Sequence, residues 1–176
     1  MKSPHLVAGP LLGLAAIIGF AFDHKNALGV ESLAKVIGRE GNTTALVIVL
    51  GYLLTQAWRN KDKALALWVV AVMLGETVLF GLIKTITWHG FHVLARPSGG
   101  DGGFPSGHTA AHVCLAYILT ERYPKLAPLW WFWAALMAWS RVESGAHFAY
   151  QTLAGILLGG LVCLTLGTRL KPPPEA

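Results

Sequence analysis

Residues 102–119, GGFPSGHTAAHVCLAYIL, decide how this chain is read. The stretch opens as a loop, Gly102-Gly103-Phe104-Pro105-Ser106-Gly107-His108, and runs straight into an apolar helix. From Thr109 to Leu119 it holds no Asp, Glu, Lys or Arg, which suits a membrane interior or a packed core. The loop suits an anion. Glycine lets a backbone come close to a ligand, and the free N–H groups and dipole of a helix start favour negative charge. Ser106 adds a hydroxyl donor. The same residues also fit a plain N-cap with a polar first turn.

The rest of the chain is mostly membrane-forming. Of its 176 residues 54% are hydrophobic, mean hydropathy is +0.53, and only 13% are charged, about half the usual share. Apolar runs fall at about Leu6–Phe22, Thr43–Trp58, Ala64–Trp88, Ser106–Leu119, Leu126–Trp139 and Phe148–Leu166. Six spans of about 20 residues need roughly 120, which leaves short loops and no second domain. The expectation is an all-α, integral-membrane six-helix bundle, a single transmembrane domain over residues 1–176. Met1 to Phe22 reads as a retained span, because it lacks a small-residue cleavage site. Asp23 to Gly41 reads as an interfacial amphipathic helix or an ordered loop. Trp130, Trp131 and Trp133 read as lipid anchors.

The formal charge is +5, but the basic residues are scattered rather than gathered in a stripe. That argues against nucleic acid and for membrane lipids and an anionic substrate as partners. Cys114 and Cys163 sit alone in apolar runs and give no disulfide framework. With six spans, Lys2, Arg59, Lys61, Lys63, Arg122, Lys125, Arg169 and Lys171 share the side of the termini. Lys25, Lys35, Arg39, Lys84, Arg96 and Arg141 lie on the other side. Setting aside the last three as candidate phosphate ligands, the bias makes the termini cytoplasmic. The expected location is a bacterial inner membrane, with the loops of Arg96, His108, Arg141 and His147 facing the periplasm or exterior.

Arg141 ends the fifth apolar run and His147 begins the sixth. One short hairpin therefore brings both to the membrane face that holds His108. An arginine fork matches phosphate oxygens, and two imidazoles can divide the work of nucleophile and acid near neutral pH. Polar groups of this kind are costly beside a bilayer, so a functional reading is favoured.

Pro105-Ser106-Gly107-His108 and Ser140-Arg141, followed by His147, resemble the second and third signature motifs of the type-2 phosphatidic acid phosphatase family. These are membrane lipid phosphatases related in their core to vanadium haloperoxidases. The resemblance implies that His147 is the nucleophile that becomes a phosphohistidine, and that His108 is the general acid. It implies a phosphate clamp of Ser106, Gly107 and Arg141, with Lys84 and Arg96 from the first motif. It implies no metal and no cofactor, since arginine and lysine supply the positive charge. Two departures stand out. Eleven residues separate Lys84 from Arg96-Pro97, more than in the family pattern, and Phe91 stands where the arginine would fall. Lys84 also fits a snorkelling side chain at a helix end. Gln151 stands where the family has an aspartate that steadies the nucleophile. Its amide oxygen can accept the same hydrogen bond but brings no charge.

Glu143 and Asp101 are candidate substitutes for that carboxylate, although Glu143 also suits a salt bridge with Arg141 or Arg96. Glu76, two turns before Lys84, is a buried pairing residue or a protonated carboxyl as readily as a catalytic one. His108 and His112 have a zinc-like spacing without the metalloprotease glutamate. His89 and His92 suit a solvated loop. The expected function is an integral-membrane lipid phosphatase. Undecaprenyl diphosphate, phosphatidylglycerol phosphate, phosphatidic acid and lipid A phosphate all remain open as substrates. A lipid phosphotransferase using the same histidine, or a non-catalytic binder of anionic lipids, is the alternative.

Overall fold

The computed structural model describes residues 30–91, 96–99 and 102–172. The expected first span, Leu6–Phe22, lies outside them, as do His92 and Asp101. Among the described residues the chain is all-helical. A short α1, Val30–Lys35, widens into a π-helical turn at Val36–Gly41. Then come α2 (Asn42–Arg59), α3 (Lys63–Phe91), α4 (Gly107–Arg122), α5 (Ala127–Glu143) and α6 (Ala149–Val162), whose end widens over Cys163–Gly167. These five long helices match the last five apolar runs. The described part of Asp23–Gly41 is helical, as one of its two readings expected.

Turn chemistry sets the breaks. Lys61 has a positive φ of 56°, and Asp62 Oδ1 accepts the Leu65 N–H at 2.8 Å, capping the start of α3. Pro124 opens a 3₁₀ turn and Pro128 sits in the first turn of α5, where a missing N–H costs nothing. Glu121 and Lys171 form an ion pair that joins the ends of α4 and α6.

The bundle is apolar on the outside. Leu67, Val70, Leu74, Val78, Leu82 and Ile86 run down the exposed side of α3, and Leu153, Leu157, Leu161 and Leu164 do so on α6. Residues three and four apart share a helix face, so each set is one continuous stripe. A surface of this kind faces lipid. Both helices, over Lys63–His89 and Ala149–Gly167, are long and apolar enough to cross a membrane. Trp131 is a correction to the lipid-anchor reading. It is 8% exposed and belongs to the hydrophobic core, so its ring points inward rather than to the outer surface.

The seam between α4 and α6 is built from small residues. Gly155, Gly159, Cys163 and Gly167 recur every fourth position on α6 and lie against α4. A Cβ on Gly155 would strike the Ser106 carbonyl. One on Gly159 would stand 2.7 Å from the Ala110 carbonyl, and one on Gly167 2.6 Å from the Tyr117 ring. Cys114 and Cys163, both buried free thiols, meet at 3.9 Å in the same seam. Without a hydrophobic drive between helices in lipid, close backbone approach of this kind is the main source of packing energy.

Gly159→Ala should lower stability by about 1–3 kcal/mol through overpacking against a carbonyl that cannot yield. Gly51→Ala, where nothing stands within 4 Å, should not destabilise. Thermal unfolding in detergent separates the two.

Candidate active site

Four helix ends converge at one end of the bundle: the end of α3, the start of α4, the end of α5 and the start of α6. The Gly102–Ser106 segment leads into α4, and Ser144–Phe148 joins α5 to α6. Ser106 N–H donates to the Gln151 carbonyl at 2.9 Å, which ties the start of α4 to the first turn of α6. His147 N–H donates to the Arg141 carbonyl at 2.9 Å, which fixes the intervening turn together with Gly145 at φ 68°.

His147 is 3% exposed. Its Nδ1 lies 2.8 Å from the Gly103 carbonyl oxygen and 3.3 Å from Gln151 Oε1. Both are acceptors, so Nδ1 carries the proton and Nε2 keeps its lone pair. Gln151 Oε1 also accepts the Phe148 N–H at 3.1 Å. Two donors at one end settle which end of the amide is oxygen. Among the described residues Glu143 is not a partner of His147 Nδ1, and the Gln151 amide oxygen is.

Gly103 is required by the same contact. A Cβ there would stand 2.5 Å from Gln151 Nε2 and 2.7 Å from Oε1. Gly102 has φ 53°, and a Cβ on it would stand 2.7 Å from Lys84 Cε. Lys84 therefore lies across the glycine loop, with Nζ 5.3 Å from the Phe80 ring centroid. Phe80 in turn presses on Gly107.

The sequence-expected cations gather here. Lys84, Arg96 and Arg141 all act electrostatically on His108, and Arg96 and Arg141 act on His147. Arg141 is 7% exposed. One of its terminal nitrogens donates to the Gly38 carbonyl at 2.7 Å, while its Nε is buried with no hydrogen-bond partner among the described residues. The guanidinium is thus anchored at one corner with donor capacity left over. Ser106 is buried and shares a 3.0 Å hydrogen bond with the Thr109 hydroxyl, so it starts the helix without a side-chain cap to backbone.

Other candidates fall elsewhere. His112 turns inward, with Nδ1 2.9 Å from the His108 carbonyl. Among the described residues no three His, Cys, Asp or Glu side chains could hold a metal ion together. Glu76 is buried within α3, where one carboxyl oxygen meets the Thr77 hydroxyl at 3.3 Å and the other has no partner among the described residues. His89 is exposed. The carbonyls of Gly38 and Gly103 escaped the sequence reading, because backbone acceptors carry no side-chain signal.

Burial, and then the charges of Arg141 and Arg96, push His147 down from its ordinary value to about 3, and its bonds to Gly103 and Gln151 offset this only in part. The imidazole is therefore neutral throughout the physiological range.

Residues 82–170 match the PAP2 superfamily, and the chain belongs to that family. All the candidate site residues from Lys84 to Gln151 fall inside the matched segment. The chain is 25% identical over 137 residues to a lipid A 4′-phosphatase of Porphyromonas gingivalis, a match covering 68% of this chain and 58% of that one. The chain therefore spans under two thirds of that relative's length. Its fold also matches the crystal structure of a transmembrane PAP2-type phosphatidylglycerolphosphate phosphatase from Bacillus subtilis. That match has a TM-score of 0.67, with 21% identity over the whole of both chains.

Imidazole NMR should find His147 neutral with the proton on Nδ1 from pH 8 down to pH 5. Arg141→Gln removes the leading cation and should raise the pKa of His147 toward the ordinary histidine value.

Proposed function

We infer that this protein is an integral-membrane phosphatase that releases phosphate from a lipid phosphate or diphosphate through a phosphohistidine. The observation that carries the reading is the pair of acceptors on His147 Nδ1, Gly103 O and Gln151 Oε1. They leave a neutral Nε2 lone pair beside guanidinium groups.

In this reading the phosphate lies among Arg141, Arg96, Lys84, the Gly107 N–H and the Ser106 hydroxyl. Nε2 of His147 attacks phosphorus in line, and the bond to the lipid oxygen breaks. His108, made cationic by the arriving dianion, gives its proton to that oxygen. Water then attacks the phosphohistidine, His108 takes the proton back, and inorganic phosphate leaves with Nε2 restored. The clamp acts most strongly as charge builds on the equatorial oxygens. The positive charge that forms on His147 is spread to Gly103 O and Gln151 Oε1 through Nδ1–H. A pocket walled by Arg and Lys repels a divalent cation, so turnover should survive EDTA.

The apolar outer stripes keep the acyl or prenyl tail in lipid while the headgroup enters the polar end of the bundle. The relatives act on lipid A and on phosphatidylglycerolphosphate by their names. Both are phosphate esters on large membrane lipids, the class proposed here. The site is proposed to face the periplasm or exterior of a bacterial inner membrane.

Phosphate release by purified protein in detergent should be measured on lipid A, phosphatidylglycerol phosphate, phosphatidic acid and undecaprenyl diphosphate. At least one should be hydrolysed, and His147→Ala should lose about 10⁴-fold or more in kcat, as expected for a missing nucleophile. Binding without turnover on every lipid would replace this reading with that of an anionic-lipid binder. A phosphorylated acceptor lipid in place of free phosphate would replace it with a phosphotransferase.

A further inference from the structure

Gln151 raises a requirement that a carboxylate does not. Its two ends differ, and only the oxygen can hold the His147 N–H. Reversed, its NH₂ would face the N–H groups of His147 and Phe148, taking this acceptor from Phe148 and leaving His147 with the Gly103 carbonyl alone. The amide must be held one way round. The Phe148 N–H holds the oxygen end. At the other end, Gln151 Nε2 donates to the Tyr150 hydroxyl at 3.3 Å.

Tyr150 is itself held by rings. It stacks on Phe148 with centroids 5.7 Å apart and planes 12° apart, and on Phe104 at 6.4 Å and 27°. The chain positions of these rings matter. Phe104 follows Gly103, Phe148 follows His147, and Tyr150 precedes Gln151. Each ring is thus bonded in the chain to one member of the set that holds the nucleophile: one acceptor, the imidazole, the other acceptor. Phe148 and Tyr150 are about half exposed, so the stack forms a rim across the gap between the glycine loop and α6. Offset stacking of this kind is worth about 0.5–1.5 kcal/mol per pair beyond burial, enough to bias a loop's position.

We propose that Tyr150 is a positioning residue for the nucleophile. Its hydroxyl fixes the orientation of the Gln151 amide, and its ring, clasped by Phe104 and Phe148, keeps the Gly103 carbonyl and Gln151 at hydrogen-bond distance from the same imidazole nitrogen. The proposal rests on His147 being the nucleophile. It makes Tyr150 and Gln151 a coupled pair. A carboxylate at position 151 has two equivalent oxygens and needs no such orientation.

The test uses the full chain in detergent and the panel lipid hydrolysed fastest. Tyr150→Phe keeps the stack and removes only the hydroxyl. It should lower kcat about fivefold with KM unchanged, the effect of one neutral hydrogen bond. The same change made in Gln151→Glu should not slow turnover, because either carboxylate oxygen serves His147. Equal slowing in both backgrounds would mark a merely structural ring and overturn the proposal. So would an unaltered kcat in Tyr150→Phe, or a raised KM alone, which would place the hydroxyl on the substrate. Turnover that survives His147→Ala overturns the nucleophile reading and this one together. Loss of turnover in His147→Ala with a silent Tyr150→Phe overturns this one only.

Discussion

The close seam between α4 and α6 is the constraint on which the rest depends. Gly155, Gly159, Cys163 and Gly167 allow the two helix backbones to touch, and the Ser106 N–H bond to the Gln151 carbonyl locks their ends in register. One register places the glycine loop over the first turn of α6. A side chain larger than hydrogen at Gly155 would lift Ser106, and with it His108, away from His147. The geometry of the polar end is therefore set by packing well below it. Lipid offers no hydrophobic reward for helix association, so van der Waals contact at these glycines has to be close.

Above the seam, the site concentrates positive charge around a buried imidazole. Three cations near two histidines are costly alone, a cost that the phosphate dianion of the proposed reaction would offset. The protein limits it beforehand with backbone dipoles. The Gly38 carbonyl takes one corner of Arg141, and the Gly103 carbonyl takes the proton side of His147. A Cβ on Gly38 would stand 3.0 Å from the Arg141 nitrogen its carbonyl serves, and one on Gly103 would stand 2.5 Å from the Gln151 amide beside His147. The short helical segment after the first expected span thus has a share in the site that its amphipathic pattern did not advertise.

Gln151 separates this site from the pattern its family motif leads one to expect. An amide in place of a carboxylate keeps the hydrogen bond and gives up the charge. It also gains an N–H end that must be satisfied, and that end donates to the Tyr150 hydroxyl. In the proposed reaction a neutral partner gives less support than a carboxylate to the imidazolium that attack would form.

The sequence by itself determined the helical class, the five described helices to within a few residues, and the membrane character. Those follow from local apolar runs, prolines and polar breaks, which act over a handful of neighbours. It also singled out Arg141, His108 and His147 as candidates, because such groups are costly near lipid. Tertiary structure alone decided which acceptors hold His147, that Trp131 faces inward, and that Lys84 reaches the glycine loop in spite of its long spacing from Arg96. Those depend on backbone carbonyls and on the depth at which two helices meet, and neither leaves a mark in the order of side chains.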